Sequence, residues 1–111
     1  MAFDERLAGR VRALLAGRGQ VVEKKMMGGL SFMVNGKMCV GVLGNELMAR
    51  IDPLIYDEAL SRKGCREMDF TGKPMRGFVF VGSAGTSAAK DLDRWVRLAL
   101  DFNKKAKAAT K

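Results

Sequence analysis

The chain has 111 residues, 48% of them hydrophobic and 29% charged, and a formal net charge of +8 with no histidine. That length holds one domain able to bury roughly 65% of its surface and leaves no room for a second core. The composition excludes a disordered chain, and the missing imidazole removes most acid-base and zinc designs.

The positive charge is unevenly spread. Residues 1–20 carry four Arg against two acids, 21–82 nine bases against seven acids, 83–103 three of each, and 104–111 four Lys with no acid. Half of the excess therefore sits in the last eight residues, read as a flexible Lys-rich tail behind a single domain over 1–103. A body this mildly basic is weak support for nucleic-acid binding. No apolar run has the length of a signal peptide or a membrane span, so the expectation is a cytoplasmic protein with no membrane contact. Cys39 and Cys65, far apart in the sequence, are then expected as reduced thiols.

In chain order, the first helix is read from Phe3, Leu7, Val11, Leu14 and Leu15, which fall on one helical face, with Asp4 as N-cap and Gly17 or Gly19 as the stop. Val21 to Met27 reads as a strand turning at Gly28-Gly29. Leu30, Phe32 and Val34 then alternate with Ser31 and Met33, Asn35-Gly36 supplies a tight hairpin turn, and Met38, Val40 and Val42 alternate with Cys39, Gly41 and Leu43. Gly44-Asn45 turns the chain into a strand with Leu47, Ala49 and Ile51 on one face and Met48 and Arg50 on the other. Asp52 as N-cap and Pro53 at the first helical position open a middle helix over Leu54 to Arg62, ended by Gly64. Gly77 to Val81 is a final strand, preceded by turn chemistry at Thr71-Gly72-Lys73-Pro74. A last helix, starting near Thr86 or Ser87, places Leu92, Trp95, Val96, Ala99 and Phe102 on one face and Lys90, Arg94, Arg97, Asp101 and Lys105 on the other.

The order α-β-β-β-β-α-β-α specifies an α+β fold, a two-layer sandwich with an antiparallel sheet of about five strands and helices on one face. Leu30, Phe32, Val34, Met38, Val40 and Val42 form the core face. The opposite face carries Met33, Cys39, Leu43 and Met48 beside Ser31 and Arg50, which is too apolar for a face that meets only water. It is covered by a helix end or loop, is a contact face for a second copy or a protein partner, or forms a ligand groove.

Chemistry-bearing patterns are few. Cys39 and Cys65 each lack a partner at metal-ligand spacing and a histidine to activate them, and no Lys is placed beside Ser31, Ser83 or Ser87 by any motif. Neither glycine-rich nucleotide motif occurs. The candidate site is a basic set, Lys24, Lys25, Arg50, Lys73 and Arg76, able to face an anion or partner with Arg forks and Lys point charges. Its competing reading is a solvated rim neutralised by Glu23, Glu67 and Asp69. No catalytic residue, metal or cofactor is expected.

Glu23-Lys24-Lys25-Met26, Gly28-Gly29-Leu30, Phe32, Asn35-Gly36, Met38-Cys39, Gly41-Val42, Leu47-Met48 and Arg50 together carry a resemblance to the N-terminal domain of the TfoX/Sxy competence-regulator family. It continues through Tyr56, Ala59-Leu60, Met68-Asp69-Phe70-Thr71-Gly72, Pro74-Met75, Gly77, Leu92 and Trp95-Val96, spanning Asp4 to about Phe102. Departures are Met27, where an aromatic is usual, and Phe78 and Phe80, where Trp and Tyr are common, read as core swaps. The resemblance implies a bacterial domain with a secretion-chaperone-like α+β shape, linked to regulation of DNA uptake, here without the C-terminal helical domain of full regulators. The expected function is a non-catalytic regulatory binding module working through protein or nucleic-acid contacts. The alternative is a small-molecule or anion-binding domain, or a weak enzyme, with a pocket lined by Met33, Cys39 and Met48 and oriented by Arg50.

Overall fold

The computed structural model describes residues 3–26, 28–67 and 77–105. Helix α1 (Glu5–Leu15) starts where the Asp4 carboxylate accepts from the Arg6 and Leu7 amides at 2.9 and 3.3 Å, satisfying two donors that have no partner within the helix. Strands β1 (Val21–Met26), β2 (Gly29–Val34), β3 (Lys37–Leu43) and β4 (Glu46–Arg50) follow as an antiparallel meander. The β2–β3 turn has Asn35 at φ 54° and Gly36 at φ 80°, the paired left-handed conformation that a type I′ hairpin requires and that Asn-Gly adopts at low cost.

After β4, Asp52 caps a 3-10 turn, Pro53–Ile55, by accepting from the Leu54 amide at 2.9 Å. This leads into the short helix α2 (Tyr56–Leu60). The expected single helix from Leu54 to Arg62 is thus split in two. Strand β5 (Cys65–Glu67) then forms at the far edge, and β6 (Phe78–Val81) returns between β4 and β5. Among the described residues the sheet has six strands, in the order β1-β2-β3-β4-β6-β5, one more than the five or so expected. The additional one, β5, has only three residues, too few for alternation to announce it. The last helix, expected from near Thr86 or Ser87, is α4 (Ala89–Asn103), and a short helix that was not expected, α3 (Ser83–Thr86), precedes it. Among the described residues, no helix is long and apolar enough to cross a membrane.

The helices join one core on one face of the sheet. Leu7, Val11 and Leu15 of α1, Tyr56 and Ala59 of α2, and Leu92, Trp95, Val96 and Ala99 of α4 pack with Leu30, Phe32, Val34, Val40, Val42, Leu47, Ala49, Ile51, Val79 and Val81. At about 25 cal/mol per Å² of apolar surface, this burial is the dominant favourable contribution to the fold. Polar ties fix the helices in place: Asn103 Nδ2, buried, donates to the Val34 carbonyl at 3.2 Å, and Arg10 Nη2 donates to the Thr86 carbonyl at 2.8 Å.

The sequence pattern misleads in one strand. Between β2 and β3 the register shifts, pairing Phe32 with Val40 and Met33 with Met38, so that Cys39 is an extra residue on β3. Such a bulge reverses the alternation beyond it. Cys39, expected on the outer face, is therefore buried in the helix-covered core, while Met38, expected in the core, packs on the outer face with Met48 and Phe80.

Two glycines bring the α2–β5 turn against α3. A Cβ on Gly85 would lie 2.5 Å from the Lys63 carbonyl oxygen and 2.6 Å from Val81 Cγ1, whereas a Cβ on Gly9 of α1 would meet nothing within 4 Å. Gly85→Ala is expected to lower stability in urea denaturation by about 1–3 kcal/mol through overpacking. Gly9→Ala is expected to raise it by about 0.5–1 kcal/mol, because alanine loses less backbone entropy in a helix.

Candidate functional site

The outer sheet face is organised in cross-strand rows. Register aligns Lys24 with Ser31, Ser31 with Gly41, Gly41 with Met48, Met48 with Phe80, and Phe80 with Arg66. The bare Gly41 leaves space that Met48 fills, since a Cβ there would lie 2.7 Å from Met48 Cε. Met48 and Phe80 are 5% and 4% exposed and pack with Met38, Leu43 and Phe78 as a second, small apolar cluster. Phe78 and Phe80, read from the sequence as core swaps, belong to this cluster rather than to the helix-covered core. The Arg66 guanidinium lies 4.8 Å from the Phe80 ring centroid and pairs with Glu46 at 2.5 and 3.0 Å.

Toward the β1 edge the face changes character. Val22, Met33 and Met38 lie side by side on β1, β2 and β3, with Val22 44% exposed and both methionines half-buried. Exposed Lys24 stands two residues along β1 from Val22, opposite Ser31, whose buried Oγ has no hydrogen-bond partner. None of the outer-face residues described on β1 to β3 is acidic.

Of the five candidate cations, the three that are described, Lys24, Lys25 and Arg50, are not brought together. Lys24 faces outward, whereas Lys25, opposite Leu30, faces the helix side of the same edge strand. Arg50 stands on β4, three strands away at about 4.8 Å per strand, with its guanidinium 5.6 Å from each of the Phe78 and Phe102 rings. Lys73 and Arg76 lie outside the described residues, as do Met68–Phe70, the turn at 71–74 and Asp69. Of the apolar candidates, Met33, Leu43 and Met48 are on the outer face, and Cys39 is not. Met38, Phe78, Phe80 and Arg66 belong to that face and were missed. The alternation of Phe78 and Phe80 with Val79 and Val81 was a readable signal for two of them, while the bulge that turns Met38 outward leaves none.

Glu23 is bound by Arg12 of α1 at 2.5 and 2.8 Å, which holds its carboxyl below the ordinary carboxylate range, chiefly through the side-chain hydrogen bond. Glu23 is therefore committed to the helix side and does not neutralise Lys24. Burial pushes the Cys39 thiol up to about 12 and the Cys65 thiol to about 11, so both are protonated and weakly nucleophilic near neutrality. Among the described residues no group of three or more His, Cys, Asp or Glu is placed to hold a metal ion.

The whole arrangement from the end of α1 to the last residue of α4 coincides with a known family pattern. The model of the TfoX N-terminal domain matches residues 13–103. The chain belongs to the TfoX N-terminal domain family. Neither a curated protein nor a solved structure shows significant similarity to it. For a TfoX N-terminal domain the match supports a general regulatory, competence-associated role, with the six-stranded α+β sheet as its scaffold.

Two measurements follow from these geometries. A thiol reagent at pH 8 is expected to modify Cys65 slowly and Cys39 only upon unfolding; rapid modification of Cys39 in the folded chain contradicts its placement in the core. Because the folded carboxyl of Glu23 is depressed, its stabilising contribution is present above the unfolded value near 4.5 and is lost as pH falls through the lower folded value. Glu23→Gln is therefore expected to flatten the acid limb of the stability curve while hardly changing its slope near neutrality.

Proposed function

We propose that the domain acts in the bacterial cytoplasm as a non-catalytic regulatory module that docks a protein partner with an apolar, acid-rimmed surface. The supporting observation is the half-exposed apolar row Val22, Met33 and Met38, with Lys24 at its edge and no acid among the described outer-face residues of β1 to β3. Apolar side chains left partly in water favour a contact, and an unneutralised cation beside them selects its charge. Isologous pairing of two copies brings like charges toward each other, which favours an acidic partner over self-association. Nucleic acid fits less well: stacking needs exposed rings, yet Phe80 is 4% exposed and Phe78 lies beneath Arg50. The protonated thiols, Cys39 buried and Cys65 half-buried, support a binding role over a nucleophilic one. So small a patch corresponds to a transient regulatory contact.

A photo-cross-linking side chain placed at Val22, with a control at Leu54, which is 90% exposed on the turn after β4, tests the reading. The expected adduct forms from position 22 and not from 54, maps to an acid-rich peptide of another protein, and is lost with Lys24→Glu. A self-adduct with a dimer mass in sedimentation, equal capture from both positions, or retention of the adduct in Lys24→Glu overturns it. Fluorescence anisotropy with DNA and RNA is expected to show only weak binding that vanishes when the chain is cut after Asn103; binding that survives the cut and falls steeply with salt favours a phosphate-reading surface on the domain body.

A further inference from the structure

On the helix side of the molecule, away from the outer sheet face, a cavity of about 210 Å³ opens between the α2–β5 turn, α3 and α4, lined by Arg62, Lys63, Gly85, Asp91, Arg94 and Trp95. Its walls are held close by glycine: the Lys63 carbonyl approaches Gly85 so nearly that no side chain fits there, and the Gly82 amide donates to the Gly64 carbonyl at 2.8 Å. On α4, Asp91, Arg94 and Trp95 share a face because they are spaced by three and four residues.

The electrostatics of the cavity are unbalanced. Arg62 Nη2 pairs with Glu58 at 3.0 Å and its guanidinium lies 6.0 Å from the Trp95 ring centroid, but its Nε is buried with no hydrogen-bond partner. Lys63 and Arg94 are exposed and have no ion-pair partner among the described residues. Among the described lining residues, Asp91 is the one acid. Counting both Asp91 and Glu58, the cluster keeps an excess of positive charge, with a fork, a point charge and a second fork converging on one opening.

We infer that this cavity binds a small phosphomonoester, its phosphate taken by Arg62, Lys63 and Arg94. The volume is below that of an ordinary drug-sized site, which suits a phosphate carrying a short polar fragment. Arg forks match tetrahedral oxyanions in a bidentate way, and Lys63 adds charge without fixed geometry. The site stands independently of the partner face, since none of its residues is on the outer side of the sheet.

The sole tryptophan of the chain lines the cavity and serves as the reporter. Trp95 fluorescence is titrated with inorganic phosphate and with ribose 5-phosphate, ionic strength being held constant with sodium chloride. Saturable binding is expected for both, tighter for the sugar phosphate. Arg94→Gln and Lys63→Gln, both at exposed positions, are each expected to weaken it about tenfold, and Val22→Asp on the opposite face is expected to leave it unchanged. A response no greater than that of chloride, equal affinity in either Gln variant, or tighter binding of an oligonucleotide without terminal phosphate through the same residues overturns the assignment.

Discussion

Burial of the α4 stripe over the centre of the sheet is the contact on which the other placements depend. Leu92, Trp95, Val96 and Ala99 cover β3 and β4, the two strands farthest from either edge, and α1 fills the space beside them. Once that face is dry, every ladder position is assigned to one side or the other by parity, since successive side chains alternate. The buried amide of Asn103 on the Val34 carbonyl fixes where α4 ends, and Arg10 on the Thr86 carbonyl ties α1 to the end of α3, three residues before α4 begins. The helix layer is thereby held at both ends by directional bonds and along its length by apolar packing.

Much of this was legible in the residues. Asp4, Asp52-Pro53, Asn35-Gly36 and Gly44-Asn45 are local signals whose energetics lie within a few residues, and each produced the expected cap or turn. Strand β5 and the short helix α3 were not legible, because a three-residue strand and a four-residue helix are held by neighbours rather than by their own periodicity. The bulge at Cys39 illustrates the limit most sharply: a single unpaired residue exchanges the faces of Met38 and Cys39 while the sequence continues to alternate. The candidate site was accordingly read in part. Met33, Leu43 and Met48 were placed on the correct face by parity, whereas the basic set was assembled from sequence proximity and does not converge among the described residues.

Arginine chemistry distinguishes the two regions of interest. Arg12, Arg50, Arg62 and Arg66 each lie over an aromatic ring, and three of them also hold a carboxylate of Glu23, Glu58 or Glu46, so their stems act as lids on apolar surface as much as charges in solution. Formal charge thus overstates what the surface offers a polyanion. Among the described cations without such duties are Lys24 on the sheet and Lys63 and Arg94 at the cavity, where Arg62 adds a fork only partly committed to Glu58, and the two groups lie on opposite layers of the domain.

The edge strand β1 has a further consequence. Six residues long and paired among the described residues only with β2, it displays a row of backbone donors and acceptors of the kind that templates sheet-to-sheet growth. Its central side chains, Glu23, Lys24 and Lys25, alternate between the two faces of the sheet, and the first is clamped by Arg12. A strand approaching this edge must desolvate two ammonium groups and displace an ion pair. The opposite edge, β5, is too short to template growth and carries Arg66 and Glu67. These charges therefore work as gatekeepers, keeping an open-edged sheet from polymerising.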